Sequence, residues 1–183
     1  MKKWNIEESR ELYNIRGWGA GYFDINDKGN IIVLPQSGDR HAIDLKELVE
    51  DIQAKGYSLP ALIRFSDILK ASISKLANAF DKSIREYEYK GAYHGVYPIK
   101  VNQQRQVVEE IVKFGRPYNF GLEAGSKPEL HAILAILDTP EALLVCNGYK
   151  DETFIRLALM SQKLGKKVFI VVERLSELEI IDR

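Results

Sequence analysis

The feature that most constrains the fold is a regular alternation of strand-like and helical patterns in the second half of the chain. Four apolar runs rich in β-forming residues have centres about 24 residues apart. They are residues 93–99, 118–122, 142–146 and 168–172. A helical pattern follows each run, and two of these patterns open with a capping-box sequence, at Ser126–Glu129 and Ser176–Glu179. Four consecutive βα units predict a parallel sheet with right-handed crossovers.

Two architectures contain such units, an open doubly wound sheet and a closed barrel. The first βα turn lacks the G-x-G-x-x-G sequence of a dinucleotide-binding sheet. A complete (β/α)8 barrel takes about 250 residues. We therefore predict an α/β fold that is the first half of a TIM-type barrel, in a chain truncated at its carboxyl end. Because half a barrel leaves two strand edges unpaired, we expect the chain by itself to be inactive.

Residues 1–60 have a different pattern and are predicted to form a separate β-containing segment, followed by the partial barrel at 61–183. Residues 22–25 and 31–34 flank an Asn/Asp/Gly turn, which indicates a β-hairpin. A short helix capped by Asp44, with Glu47 three residues on, is expected next. Residues 62–65 are strand-like, and Ser66 is expected to cap a long amphipathic helix.

The glycine-rich run at residues 17–21 lacks the preceding strand and following helix of a phosphate-binding loop. We interpret it as a tight turn at the junction between the two segments.

Composition excludes several classes of function. Lys plus Arg equals Asp plus Glu at 26 each, so no excess charge favours nucleic acid or an anionic membrane. The sequence has neither a secretory signal nor a run of about 20 apolar residues. The single cysteine, Cys146, rules out an intrachain disulfide and fits a reducing compartment. We expect a cytoplasmic protein without nucleic-acid or membrane partners.

In a parallel βα protein the functional side chains gather at the carboxyl ends of strands. The residues at the four predicted strand ends are Lys100, Glu123, Asn147 and Glu173. Lys100 follows an apolar strand, where partial desolvation would disfavour the charged ammonium form. A neutral amine attacks carbonyl carbons, so Lys100 is the candidate for Schiff-base chemistry.

Other polar residues have simpler structural interpretations. Asn147 either lines the pocket or makes an Asx turn before the third helix. Glu129 has the spacing of the capping-box partner of Ser126, and Cys146 on an apolar strand is expected in the core. The three histidines have no partners at metal-ligand spacing, so no protein-built metal site is predicted. They are His41, His94 and His131.

Several segments resemble a known family. Residues 95–103, Gly-Val-Tyr-Pro-Ile-Lys-Val-Asn-Gln, resemble the cofactor-lysine segment of the pyridoxal-phosphate decarboxylases with an alanine-racemase-like barrel. Residues 121–130 resemble the next strand and turn of that family. Three further segments resemble its biosynthetic arginine decarboxylases. They are residues 15–23, 62–69 and 146–151.

The resemblance implies that Lys100 binds pyridoxal 5'-phosphate covalently and that Glu123 lies near the cofactor. It implies decarboxylation of L-arginine to agmatine in polyamine and spermidine biosynthesis, with a site built across a homo-oligomer interface. It also implies that residues 1–60 belong to a second, β-rich domain of the full enzyme. Magnesium is associated with this branch of the family, but no ligands for it are identifiable in the sequence.

Four alternatives remain open on the sequence. The first is a related decarboxylase acting on ornithine, diaminopimelate or carboxynorspermidine, although the long extension before the first barrel strand favours arginine. The second is a non-catalytic pyridoxal-phosphate-binding barrel, and such proteins lack that extension. The third is an aldolase that uses Lys100 for a Schiff base with its substrate, which would be colourless. The fourth is an interaction module without chemistry.

Overall fold

The computed structural model describes residues 4–35 and 41–183, which divide into two compact units. The first unit extends to Ala71, and the second runs from Ser72 to Arg183. The boundary falls inside a 21-residue helix, Ser66–Glu86.

The first unit contains a three-stranded antiparallel sheet in the order β1-β2-β3, together with short helices. The predicted hairpin and the helix after Asp44 are confirmed. The elements are α1 (Ile6–Leu12), α2 (Ile15–Gly19), β1 (Phe23–Ile25), β2 (Ile31–Val33), β3 (Ile43–Asp44) and α3 (Leu45–Ala54).

Asp44 joins the hairpin turn to the start of α3. One of its carboxylate oxygens accepts hydrogen bonds from the side-chain amides of Asn26 and Asn30, at 2.7 and 2.9 Å. The other oxygen accepts the N–H groups of Lys46 and Glu47 and so caps the helix. These hydrogen bonds lower the pKa of the Asp44 carboxyl.

One local prediction for this unit is wrong, and another is right only in part. Residues 62–65 form no strand, because no strand of the described chain pairs with them and the Leu62 side chain is 75% exposed. The glycine-rich run at 17–21 is not simply a turn. Its first part forms the end of α2, and the chain then turns at Ala20, which has a left-handed backbone conformation.

The second unit contains a four-stranded sheet in the order β4-β5-β6-β7, with every adjacent pair parallel. This confirms the parallel βα arrangement predicted from the sequence rhythm. The elements are α4 (Ser66–Glu86), β4 (Val96–Pro98), α5 (Arg105–Gly115), β5 (Gly121–Ala124), α6 (Lys127–Ile136), β6 (Leu143–Cys146), α7 (Glu152–Lys163), β7 (Lys167–Ile170) and α8 (Leu175–Asp182).

The core of this unit lies between the sheet and its covering helices. Leu122 and Leu144, from the two central strands, are fully buried, as are Leu130 in α6 and Ile155 in α7. Burial of apolar side chains at about 25 cal/mol per Å² is the main force that holds the helices on the sheet. The strands are three or four residues long, shorter than all four of the predicted apolar runs.

Among the described residues, the helices lack the combination of length and apolar composition that crossing a bilayer requires.

Candidate functional site at the carboxyl edge of the parallel sheet

The carboxyl ends of the parallel strands bring Lys100 and Glu123 together. β4 ends at Pro98, and Lys100 lies in the 3-10 turn Ile99–Val101 that follows it. Pro98 pairs in register with Glu123, which is the third residue of β5. The Lys100 ammonium nitrogen is consequently 3.8 Å from Oε1 of Glu123.

Two details of this pair differ from the sequence prediction. Glu123 lies within its strand rather than after it, and its side chain is only 18% exposed. The Lys100 side chain is 60% exposed, so the expected desolvation is absent.

Hydrogen bonds fix the turn that carries Lys100. The Tyr97 hydroxyl donates to the Asn102 carbonyl at 3.3 Å, and the Asn102 side chain accepts the Gln104 N–H at 3.0 Å. The Gln103 amide donates to Oε1 of Glu129 at 3.0 Å. These contacts hold the backbone on the carboxyl side of Lys100 and leave its amine accessible to solvent.

Glu129 links the loops after β4 and β5, a role that the sequence did not indicate. Ser126 accepts the Glu129 N–H at 3.4 Å, which is half of the predicted capping box. The Glu129 carboxylate accepts the N–H of Gly125 at 2.7 Å and also binds Gln103. The Ser-x-x-Glu spacing predicted the helix cap, but the contact with Gln103 depends on the tertiary arrangement of the loops.

Asn147 follows β6 directly, as predicted. Its backbone N–H donates to the Ala124 carbonyl at 2.8 Å, and its side-chain oxygen accepts the N–H of Gly148 at 2.8 Å. The Asn147 side chain therefore stabilises the local turn at the edge of the sheet. In the same loop, Asp151 caps α7 and forms an ion pair with Lys127 at 2.6 Å, which lowers the pKa of Asp151.

Glu173 lies three residues beyond the end of β7 rather than at the strand end. The capping box predicted to open at Ser176 is wrong. α8 begins at Leu175 with Arg174 at its N-cap, and the Glu177 carboxylate instead accepts the N–H of Glu173 at 3.1 Å. The Glu177 carboxylate is also paired with the Lys150 ammonium, and both side chains are buried.

Cys146 is a core residue, as predicted, with no exposed surface. Burial raises the pKa of its thiol to about 11, an effect that the nearby Lys150 ammonium only partly opposes. His131 lies inside α6, where its Nδ1 is 2.9 Å from the Lys127 carbonyl. Across residues 4–35 and 41–183, no three His, Cys, Asp or Glu side chains are grouped as metal ligands.

A groove of about 730 Å³ lies between α5 and α6, on the helical side of the unit. Gln103 and Glu129 reach it, but neither Lys100 nor Glu123 contributes to its lining. Lys100 and Glu123 lie instead at the carboxyl edge of the sheet, where parallel βα proteins carry their functional residues.

The Lys100–Glu123 pair suits a ligand that carries an aldehyde. An accessible primary amine can form a covalent bond with a carbonyl carbon, provided that it is in its neutral form. A carboxylate 3.8 Å away can accept a proton from the ammonium or hold it nearby. The donor set at this edge therefore fits the attachment of an aldehyde cofactor through Lys100.

A lysine amine beside a carboxylate at the carboxyl edge of a parallel βα sheet is suited to binding a carbonyl compound. The chain belongs to the pyridoxal-dependent decarboxylases, since the family model for their pyridoxal binding domain matches residues 70–183.

Among curated proteins, the chain is 57% identical to the biosynthetic arginine decarboxylase of Gloeobacter violaceus over 181 residues. It is 54% identical to the enzyme of the same name from Phocaeicola vulgatus, also over 181 residues. These matches cover 99% of this chain but only 28% and 29% of the relatives. The chain thus spans little more than a quarter of the length of the relatives it matches.

The fold is similar to a solved structure, the biosynthetic arginine decarboxylase of Campylobacter jejuni. The TM-score is 0.82 at 34% sequence identity, and the match covers 92% of this chain and 28% of that one. The parallel βα arrangement of the second unit is therefore shared with a solved relative of the same family.

The buried thiol gives a prediction about reactivity. Because the thiolate is the reactive form and the pKa of Cys146 is about 11, Cys146 in the folded protein should react with iodoacetamide at pH 8 at least about a hundredfold more slowly than in urea. Mass spectrometry of timed samples measures both rates. In the folded protein the rate should rise as the pH approaches 11, and equal rates in the two states at pH 8 would contradict the burial of Cys146.

Proposed function

We propose that this chain forms the cofactor-lysine part of a pyridoxal-phosphate-dependent decarboxylase that converts L-arginine to agmatine and carbon dioxide. The observation that supports this proposal is the Lys100 ammonium 3.8 Å from the Glu123 carboxylate at the carboxyl edge of the sheet. The choice of arginine over related amino acids is supported by similarity to biosynthetic arginine decarboxylases along 99% of the chain.

Lys100 would hold the cofactor through its amine, and the cofactor when bound would accept the electron pair released as carbon dioxide leaves. The exposed Lys100 side chain can reach a ligand above the strand ends, while the 3-10 turn keeps its backbone fixed. Glu123 lies on the neighbouring strand with 18% of its side chain exposed, where it can hold a proton close to the Lys100 nitrogen. The contribution of these residues is orientation and charge.

The proposed architecture is half of a (β/α)8 barrel at residues 61–183, preceded by a segment at 1–60 that belongs to a second, β-rich domain. Exposed apolar side chains on and beyond β7 support further strands beside it. Phe169 is 56% exposed, and Val171 and Val172 are about 40% exposed. In a closed barrel such side chains are covered by neighbouring strands and helices.

The remaining features of the proposal are assigned by family resemblance. They are a homo-oligomer with a shared site, a possible magnesium requirement, a role in polyamine and spermidine biosynthesis, and a cytoplasmic location.

The substrate proposal predicts a clear preference among amino acids. The intact enzyme with pyridoxal phosphate should release carbon dioxide from L-arginine at least about a hundredfold more efficiently, in kcat/KM, than from L-ornithine, L-lysine or diaminopimelate. Release of labelled carbon dioxide from each substrate measures this, with agmatine identified by chromatography. A preference for ornithine or diaminopimelate would reject arginine as the substrate.

The cofactor assignment predicts that Lys100 is the residue trapped by borohydride. In Lys100→Ala, reduction should leave no cofactor bound to the peptide containing residues 96–104, and turnover should fall by at least about a thousandfold. Lys163→Ala, on the exposed surface of α7, is the matched control and should retain wild-type labelling and turnover. Peptide mapping after reduction reads both variants, and cofactor attached to any other lysine refutes the assignment.

Glu123 is predicted to assist Lys100 through its charge. Glu123→Gln preserves the shape of the side chain but removes the carboxylate, so kcat should fall at least about tenfold, equivalent to roughly 1.4 kcal/mol of barrier. Glu141→Gln, which removes a carboxylate paired with Lys167 before β6, is the control. Steady-state kinetics across the pH range decide the matter, and an unchanged profile for Glu123→Gln would make Glu123 a bystander.

A further inference from the structure

We infer that Lys150 and Glu177 form a buried ion pair that positions the loops after β6 and β7 at the carboxyl edge of the sheet. Through these loops the pair helps to fix the strand end that carries Glu123. The inference deepens the proposed function and rests on its assignment of the site to Lys100 and Glu123.

The pair differs from the other ion pairs of the described chain in its burial. The Lys150 ammonium is 3.1 Å from Oε2 of Glu177, and the two side chains are 0% and 1% exposed. In twelve other ion pairs among the described residues, at least one side chain is more than a third exposed. In the Lys150–Glu177 pair both charges are removed from water.

The Glu177 carboxylate joins two loops through their backbones. Oε1 accepts the N–H of Lys150 at 3.1 Å, and Oε2 accepts the N–H of Glu173 at 3.1 Å. The Lys150 ammonium also donates to the carbonyl of Gly148. Burial by itself raises the pKa of Glu177, but the two N–H groups and the ammonium together hold its pKa below the usual value. Glu177 is therefore charged at neutral pH.

Stability alone does not account for this arrangement. Burying an ion pair requires desolvation of both charges, and a well-packed apolar pair of similar volume often stabilises a protein as well or better. An apolar pair could not accept two backbone N–H groups or donate to a carbonyl. What the charged pair provides is a defined position for the backbones of both loops.

The loop held by this pair lies against the strand end that carries Glu123. Asn147 donates its N–H to the carbonyl of Ala124, the residue after Glu123, at 2.8 Å. A Cβ atom added at Gly148 would come within 2.9 Å of the Gly125 carbonyl oxygen, so the two backbones are in close contact. Displacement of the 147–151 loop would therefore be transmitted to the end of β5, and from there to the Lys100–Glu123 pair.

The test compares two double variants of the intact enzyme. Lys150→Met/Glu177→Leu replaces the buried pair with apolar side chains, and Glu152→Leu/Arg156→Met makes the same changes in an exposed pair on α7. Each protein is measured by thermal unfolding without cofactor, by hydrogen exchange of peptides containing Lys150 and Glu173, by titration with pyridoxal phosphate, and by kcat and KM for arginine.

We expect the buried double variant to unfold within a few degrees of the wild type. Its Lys150 and Glu173 peptides should exchange at least tenfold faster, and its affinity for pyridoxal phosphate or its kcat should fall at least tenfold. The control should match the wild type in every measurement. Wild-type exchange, affinity and kcat in the buried double variant would overturn the inference and leave the pair with a structural role alone.

A second variant keeps the test decisive if the first fails to fold. Lys150→Met/Glu177→Gln is neutral, but its amide oxygen can still accept one of the two N–H groups. Intermediate exchange with weakened cofactor binding supports the inference, and wild-type values overturn it. A wild-type enzyme that binds pyridoxal phosphate but does not decarboxylate arginine would refute the proposed substrate, while exchange and cofactor affinity still test the role of the pair.

Discussion

The candidate site depends on the parallel register of the four-stranded sheet. Backbone hydrogen bonds align Pro98 with Glu123, and Ala124 with Cys146. In a parallel sheet every strand presents its carboxyl end at the same edge, so residues far apart in sequence become neighbours there. Lys100 and Glu123 are 23 positions apart along the chain. The register of the sheet nevertheless brings the Lys100 ammonium within 3.8 Å of the Glu123 carboxylate.

Polar contacts then connect each loop at this edge to the next. Gln103 binds Glu129, Lys127 binds Asp151, and Lys150 binds Glu177. The first two contacts involve side chains that are at least partly exposed and so are worth about 1 kcal/mol or less each. The third is buried, and removal of one partner would leave an uncompensated charge in the interior. The loops after β6 and β7 are therefore joined by a buried contact, whereas the loops after β4 and β5 are joined by an exposed one.

The side chains of Lys100 and Glu123 also differ in how far they are exposed at this edge. Lys100 needs an accessible amine if it is to bind a carbonyl compound, and its side chain is 60% exposed. Glu123 lies inside its strand, where its position is fixed by the ladder of the sheet. An exposed amine therefore lies beside a carboxylate that the sheet holds in place.

The sequence by itself determined the order of elements and the residues available for chemistry. Apolar runs at a constant spacing specified the four βα units, the Asn/Asp/Gly turn specified the hairpin, and local capping signals placed Asp44 and Ser126 at helix starts. These features depend on neighbours within a few positions, which is why pattern alone reveals them. Lys100 was likewise singled out by its place after an apolar run.

Only the tertiary structure decided which polar groups meet and how deeply they are buried. Sequence spacing assigned Glu129 to a helix cap and did not single out Glu177, but each carboxylate binds a residue from another loop, Gln103 and Lys150 respectively. The sequence likewise did not predict the exposure of Lys100 or the absence of a strand at 62–65. Both depend on whether another segment of the chain packs beside these residues. Side-chain pairing across a sheet edge and the burial of a charge are set by the packing of distant segments, and no local pattern encodes them.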